Sequence, residues 1–399
     1  MAWLGRMIVL CSEGIFVTVM DPSQTDLTTR QKTAALLDRV EPEFANFLSG
    51  ELIDLFLLPA PGARYRWNVP STSLKHFALV ATMARMVHRW IGRWRGWLPV
   101  KTNLEAAAWI ARSYARQLTE DHGHLIIAQD FLPYLWLGGF LQGRQFSVLL
   151  MRPPLAVMHE RLDEVAREFP RQGDLQVFRA DPALVHAEAE ALQSAERVIT
   201  PHRELGHLFS NLRMLEWQKP EVVRPAGVRN PSLLLFPASL AVREGAHAAL
   251  AASERVALPL LVCGGNPEGL AVESETVQFT TGNEIPWHQV AAVIHPTLFK
   301  AWPRLHLHAL ALGIPVISSS ACGLEEGDGV SLVDFNDEDG LVRAIERAIA
   351  REVGRDSGRE GGREPELAHE SEREIPGNLR LAIDRSAEAS LRATHLNRL

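Results

Sequence analysis

The run AAVIHPTLFKAWPRLHLHALALGIPVISSSACGL, residues 291–324, constrains the fold more than any other part of this chain. AAVIHP reads as a short apolar strand that stops at Pro296, and PVISS reads as a second strand. Between them Pro303 suits a first helical turn, Leu305, Leu307, Ala309, Leu310 and Leu312 supply apolar surface, and Gly313 followed by Pro315 stops the helix. Two strands joined by a crossover helix of this length lie parallel. In open parallel sheets, ligands sit beyond the carboxyl ends of the strands, where a helix N-terminus offers unpaired N–H groups and partial positive charge to a phosphate. Here that edge is the segment Pro296–Arg304.

Without a gap, PTLFKAWPRLHLHALALGIPVISSSACGL resembles the donor-site segment of the retaining glycosyltransferases of the GT-B fold, glycosyltransferase family 4 or "group 1" type. Pro296, Thr297, Trp302, Ala309, Ala311, Gly313, Pro315, Val316, Ile317 and Gly323 keep the pattern. The two glutamates of that pattern fall on Lys300 and His308. The resemblance assigns those carboxylates to hydroxyls of the donor sugar and ribose. A lysine cannot accept a hydrogen bond, and a histidine accepts only when neutral. Further upstream, SLLLFPASLAVREGAHAAL is similar to the opening of the family's nucleotide-binding domain. Gly245 is kept there, but the arginine falls on Ser239 and the lysine on Glu244. Those two cations neutralise the donor diphosphate in the family; here Arg243, next to the lost lysine, is a candidate substitute, and Lys300 and Arg304 are two others. LPLLVCGGNPEG keeps Gly264, Gly265 and Pro267 in the family's next turn. A double glycine after a strand lets backbone approach a ligand, and it is equally an everyday tight turn.

The resemblance implies an α/β fold of two Rossmann-like parallel-sheet domains. The expected boundaries are 1–213 for an acceptor-side domain, 214–230 for a linker with Lys219-Pro220 and Arg224-Pro225, and 231–350 for a nucleotide-sugar-binding domain. A charged, Gly-rich segment at 351–377 is expected to be disordered, and a helix at 378–399 to cross back onto the first domain. A length of 399 residues suits two domains, and 46% apolar with 22% charged residues is a globular composition. The net charge of −7 argues against general nucleic-acid binding. Cys11, Cys263 and Cys322 lie far apart, as buried thiols of a reducing cytoplasm do. MAWLGRMIVLCSEGIFVTVM reads as strand rather than signal peptide, with Arg6–Cys11 opening the first sheet and Gly14 as the glycine of its first loop. No window has the apolar length of a membrane-spanning helix.

In chain order, Thr28–Leu48 reads as helix, ELIDLFLLP as strand and Ser71–Trp97 as one long helix. That helix ends in Arg85, Arg89, Trp90, Arg93, Trp94, Arg95, Trp97 and Lys101. Such a surface suits the headgroup zone of an anionic membrane, or a domain face on which the indoles pack. The localisation expected is cytoplasmic, with peripheral contact at the inner membrane face as one reading. QFSVLLMRPP ends at Arg152, where the family offers a histidine to the donor sugar. Arg152 there either holds a phosphate or acidic acceptor or makes a structural ion pair.

Two functions follow. In the first, a hexose moves with retention from a nucleotide-diphosphate sugar to a hydroxyl of a glycan, lipid or small-molecule acceptor, in cell-surface or secondary glycan synthesis. Arg243, Lys300 and Arg304 with backbone amides at Trp302, Pro303, Arg304 and Leu305 stabilise the leaving diphosphate, Ser239, Gly264 and Gly265 line the nucleotide, and His308 touches the ribose. The leaving phosphate takes the acceptor proton. No cofactor and no metal is expected, since the chain offers no Asp-x-Asp site for the diphosphate. In the second, a relative that has lost catalysis serves as partner or regulatory subunit of a true transferase. Exchanged charges at Glu244 and Lys300 fit that reading, and they fit a swapped pair facing across the cleft. A metal hydrolase using histidines 295, 306 and 308 is a distant third. His306 and His308 cannot share one helical face, because two positions span roughly 200° of turn.

Overall fold

A computed structural model describes residues 31–61, 67, 69, 73–95, 99–170, 175, 179–222, 229–272, 276–280 and 284–357. The strand expected at Arg6–Cys11, the apolar run Ile15–Met20, Trp97 and the terminal helix at 378–399 lie outside the described residues, as do the side chains of Arg93 and Lys101. From Lys32 onward the described residues form one unit that contains two parallel sheets, one per lobe.

The first lobe holds β1 (Thr33–Leu36), β2 (Leu55–Pro59), β3 (Leu74–Ala78), β4 (His124–Ala128), β5 (Gln145–Leu149), β6 (Arg197–Thr200) and β7 (Leu212–Met214). Its helices are α1 (Pro42–Ser49), α2 (Leu79–Trp94), α3 (Pro99–Ala115), α4 (Leu132–Leu137), α5 (Leu155–Glu168) and α6 (Pro182–Ser194). The strands lie in the order β3-β2-β1-β4-β5-β6-β7, all parallel. The second lobe holds β8 (Leu233–Phe236), β9 (Leu260–Cys263), β10 (Val277–Thr280), β11 (Val290–His295), β12 (Val316–Ser318) and β13 (Val330–Leu332). Its helices are α7 (Ala246–Arg255), α8 (Arg304–Leu312) and α9 (Glu338–Ser357). Its sheet runs β10-β9-β8-β11-β12-β13, again parallel. Strand order therefore reverses beside β1 and β4 in one lobe and beside β8 and β11 in the other. Those are the crevices where ligands of doubly wound sheets bind.

Parallel strands covered on both faces need continuous apolar runs. β8 (LLLF), β9 (LLVC) and β11 (VAAVIH) are buried at every position. The same requirement corrects the helix expected at Thr28–Leu48. Ala34, Ala35, Leu36 and Leu37 are fully buried in and just after β1, between β2 and β4, and helix begins only at Pro42. The alanines favour helix locally, but burial on both faces overrides that weak preference. The long helix expected from Ser71 is likewise shorter: Leu74–Ala78 pairs with β2 as an edge strand, and α2 starts at Leu79. α9 runs to Ser357, seven residues into the segment expected to be disordered. Asp337 caps it, its Oδ1 accepting from Gly340 N at 2.8 Å.

The lobes pack through an apolar cluster of Met158, Leu162 and Val165 on α5 with Val242, Leu298 and Phe299 of the second lobe. Polar contacts flank it. Arg161 Nη1 donates to Leu298 O (3.0 Å), Trp217 Nε1 to Gly323 O (2.8 Å), and His202 Nε2 bonds to Ala301 O (3.2 Å).

Candidate functional site

The site expected from the sequence gathers where four strands of the second sheet end. β8 leads into Ser239, Arg243, Glu244 and Gly245; β9 into Gly264 and Gly265; β11 into His295–Lys300; and β12 into Ser319–Cys322. Gly245 makes the convergence sterically workable. Its φ is +80°, and a Cβ there would lie 2.1 Å from Pro296 O, so only glycine lets the β8 loop and the β11 loop touch. Gly264 has a similar role toward Ser239, whose Oγ would stand 2.5 Å from an added Cβ.

Glu244 is the hub. Its carboxylate pairs with Arg243, accepts from His295 Nε2 at 2.9 Å and from Thr297 Oγ1 at 3.3 Å, and lies 4.0 Å from Lys300 Nζ. Glu244 and Lys300 thus face each other as a pair whose signs are exchanged relative to the resembling family's pattern. Burial alone would raise the Glu244 carboxyl; Arg243, Lys300 and the His295 hydrogen bond outweigh it and hold the group well below the usual carboxylate range. Burial pushes His295 down to about 4, against the pull of Glu244. The ring is therefore neutral, donating from Nε2.

Arg243 and Lys300 remain at the rim, with side chains 22% and 20% exposed. Lys300 lies just before the N-terminal end of α8, which carries no side-chain cap, and Arg243 is linked to Lys300 through their shared partner Glu244. Trp302 and Pro303 lead into that helix, and Leu305 packs against the second-lobe core. His308, one turn on, tilts against Trp287 with ring centroids 4.7 Å apart. Its Nδ1 is buried without a hydrogen-bond partner, and burial lowers its pKa.

Arg304 is held by the other lobe. Its Nη1 donates to Glu43 Oε1 at 2.8 Å, and its Nη2 reaches Glu43 Oε2 at 2.5 Å and Glu41 Oε2 at 3.3 Å, both carboxylates standing at the start of α1. Its guanidinium also lies over Trp302 and Trp217, 5.7 and 6.0 Å from the ring centroids. Arg152 is separate from this group. It pairs with Glu188 at 3.1 Å and Asp130 at 3.5 Å within the first lobe, the structural alternative left open by the sequence. His295 and Glu41/Glu43 were not singled out by sequence reasoning as parts of the donor site. His295 ends a fully buried strand, which is a usable signal; the glutamates act only through a contact some 260 positions away in sequence.

Residues 231–351 match the model of the family described as Glycosyl transferases group 1. A search of curated proteins finds no match. Among solved structures, the lipopolysaccharide outer core galactosyltransferase WaaB in its apo form aligns with 13% identity over 81% of this chain and 91% of its own, at a TM-score of 0.47. WaaG, a glycosyltransferase involved in lipopolysaccharide biosynthesis, aligns with 13% identity over 91% and 96% at 0.44. LpCGTa in complex with UDP aligns with 11% identity over 90% and 98% at 0.43. The match to the group 1 glycosyl transferases therefore spans the second lobe and includes its charge hub at the β8–β11 crevice.

Proposed function

We propose that this protein transfers a hexose from a nucleotide-diphosphate sugar to an acceptor hydroxyl with retention. The observation that carries the reading is the pair of rim cations, Arg243 and Lys300, linked through Glu244, with Lys300 just before the uncapped N-terminal end of α8 at the strand-order reversal of the matched lobe. Leaving diphosphate charge is stabilised by such preorganised donors, and more strongly when the crevice excludes water. In this reading Glu244 orients both cations, the backbone at Gly264 and Gly265 admits the nucleotide, and neutral His308 beside Trp287 accepts from a ribose hydroxyl. Arg304 serves lobe closure through Glu43, and Arg152 supports the first lobe. The acceptor proton passes to the leaving phosphate.

The test is a thermal-shift panel with UDP, GDP, ADP and their sugars, followed by product detection. A ligand that binds only the folded state raises its melting temperature. One nucleotide sugar should stabilise the protein and give product with the anomeric configuration of the donor, and Lys300→Ala and Arg243→Ala should lose turnover while remaining folded. No shift and no product across the panel would overturn this in favour of a non-catalytic partner subunit.

The acceptor side of the proposal includes peripheral contact with an anionic membrane through α2. Val80, Met83, Val87, Trp90 and Trp94 form one exposed stripe along that helix, at 85, 58, 51, 66 and 85% exposure, with Arg89 and Arg95 also exposed. Among the described residues no helix is long and apolar enough to cross a membrane. Flotation with vesicles should show binding that requires anionic lipid and is lost in a Trp90→Glu, Trp94→Glu protein; equal flotation of both proteins would exclude this face.

A further inference from the structure

Behind the charge hub lies a second constellation that the proposed transfer does not use. His295 ends β11, His306 sits on the first turn of α8, and Cys322 closes the 3-10 turn after β12, so three separate elements send one side chain each to the same point. All three are buried, with 0, 1 and 0% exposure. His295 Nδ1 and His306 Nε2 are 3.0 Å apart, and Cys322 Sγ lies 3.6 Å from His306 Nε2 and 3.9 Å from His295 Nδ1.

Hydrogen bonding alone does not satisfy this triangle. His295 Nε2 donates to the Glu244 carboxylate, and in a neutral ring this makes Nδ1 a bare acceptor. If His306 donates to it from Nε2, then His306 Nδ1 carries no proton and stays buried without a hydrogen-bond partner. If His306 instead keeps its proton on Nδ1, toward the Pro303 carbonyl, two bare nitrogens face each other at 3.0 Å. Only one thiol proton is at hand to separate them. Each arrangement costs the desolvation of a polar atom left unpaired. A cation at the centre removes the conflict, because it turns both lone pairs and the sulfur into ligands.

The dimensions fit. Metal–nitrogen bonds of about 2.0–2.1 Å and a metal–sulfur bond of about 2.3 Å, opened to a tetrahedral angle, place nitrogens about 3.3 Å apart and sulfur about 3.6 Å from each. The outer shell fits as well, since a ligating imidazole ordinarily gives its far N–H to a carboxylate, as His295 gives its to Glu244.

We propose that His295 Nδ1, His306 Nε2 and Cys322 Sγ bind one thiophilic d10 metal ion, Zn2+ or Cu+. Binding forms two metal–nitrogen bonds and one metal–sulfur bond and breaks the Cys322 S–H bond, whose proton leaves to solvent; no electron is transferred. Arg243 and Lys300 face the site from the β8 and β11 loops and are opposed by Glu244 and the new thiolate, so a monovalent ion adds less uncompensated charge than a divalent one. The ion ties together β11, α8 and the β12 loop, the three elements whose ends form the floor of the crevice. It sits behind that floor, so the expectation of a transfer without a metal on the diphosphate is unaffected.

The experiment uses the full chain, reduced and stripped of metal, with circular dichroism to show that it stays folded. Zn2+ and Cu+ are titrated in separate arms against competing chelators, with Co2+ as an optical probe for the zinc arm. One equivalent should bind in at least one arm. Co2+ should give a near-ultraviolet thiolate charge-transfer band, and about one proton should be released per ion. Cys322→Ser and His306→Gln should abolish the band, and Glu244→Gln, which keeps all three ligands, should weaken binding about 10- to 100-fold. If the folded wild-type protein gives no charge-transfer band and binds Zn2+ and Cu+ no more tightly than Cys322→Ser, the assignment fails; an ion retained equally by all the variants is surface-bound and overturns it too.

Discussion

Glu244 and Lys300 are each ill-suited alone to where they stand. A carboxylate enclosed at 9% exposure depends on the cations around it, and removing one partner of such a buried pair costs about 3–5 kcal/mol. We expect Glu244→Lys to be strongly destabilising because it faces Lys300 and Arg243 with a third positive charge. Lys300→Glu should be milder because its side chain is 20% exposed. The double exchange should lose at least about 1 kcal/mol less than the sum of the singles. Urea unfolding of the four proteins checks this; additive losses would mean that the two residues do not sense each other. Gly245→Ala should cost more than about 2 kcal/mol by the same measurement, because the new methyl group would meet Pro296 O in a backbone conformation that alanine avoids. A near-neutral result would show that the β8 and β11 loops can separate.

The contact between the start of α8 and the start of α1 acts at the scale of whole elements. Arg304→Ala leaves the Glu43 side chain, 0% exposed, without its main cation, and should cost about 3 kcal/mol; adding Glu43→Gln should recover part of that loss because no buried charge then remains. If the double variant is no more stable than Arg304→Ala alone, the two helices are not coupled through this pair. Most elements were legible in the sequence because long apolar runs and their turns survive any tertiary context: LLLF, LLVC and the α8 boundaries at Pro303 and Gly313 appear where the pattern puts them. β1 was not legible, since TAAL has helix-forming alanines and acquires its strand identity only from β2 and β4 on either side. In the site, the residues at strand ends could be read, whereas the partners of Arg304 and the meeting of Cys322 with His295 and His306 depend on the lobes and loops closing on each other.

Across the whole molecule, the seam between the lobes sets a pH dependence. His202 is 0% exposed, bonded to Ala301 O across that seam and edge-on to Trp217, with ring centroids 5.2 Å apart; burial lowers its pKa to about 4, the Ala301 bond only partly opposing this. The folded chain therefore refuses a proton that the unfolded chain accepts below about pH 6.5. The stability due to this residue is fully present above that pH and declines as pH falls toward 4, by about 3 kcal/mol in all. Urea titrations between pH 7 and 4 should show this slope, and His202→Gln should flatten part of it; an unchanged slope would place the titration elsewhere.

The first lobe grips the second by its main chain: Leu298, Ala301 and Gly323 are each engaged through the carbonyl oxygen. The bond to Ala301 does not depend on that residue's side chain, whereas Leu298 and Phe299 also pack against α5, and a Cβ on Gly323 would lie 2.2 Å from His202 Nδ1. Crevice residues whose side chains lie outside these seam contacts can be exchanged by an engineer seeking a new donor while the two halves stay clasped in the same alignment. Lys300, whose neighbours on either side belong to that clasp, is the natural first position at which to try.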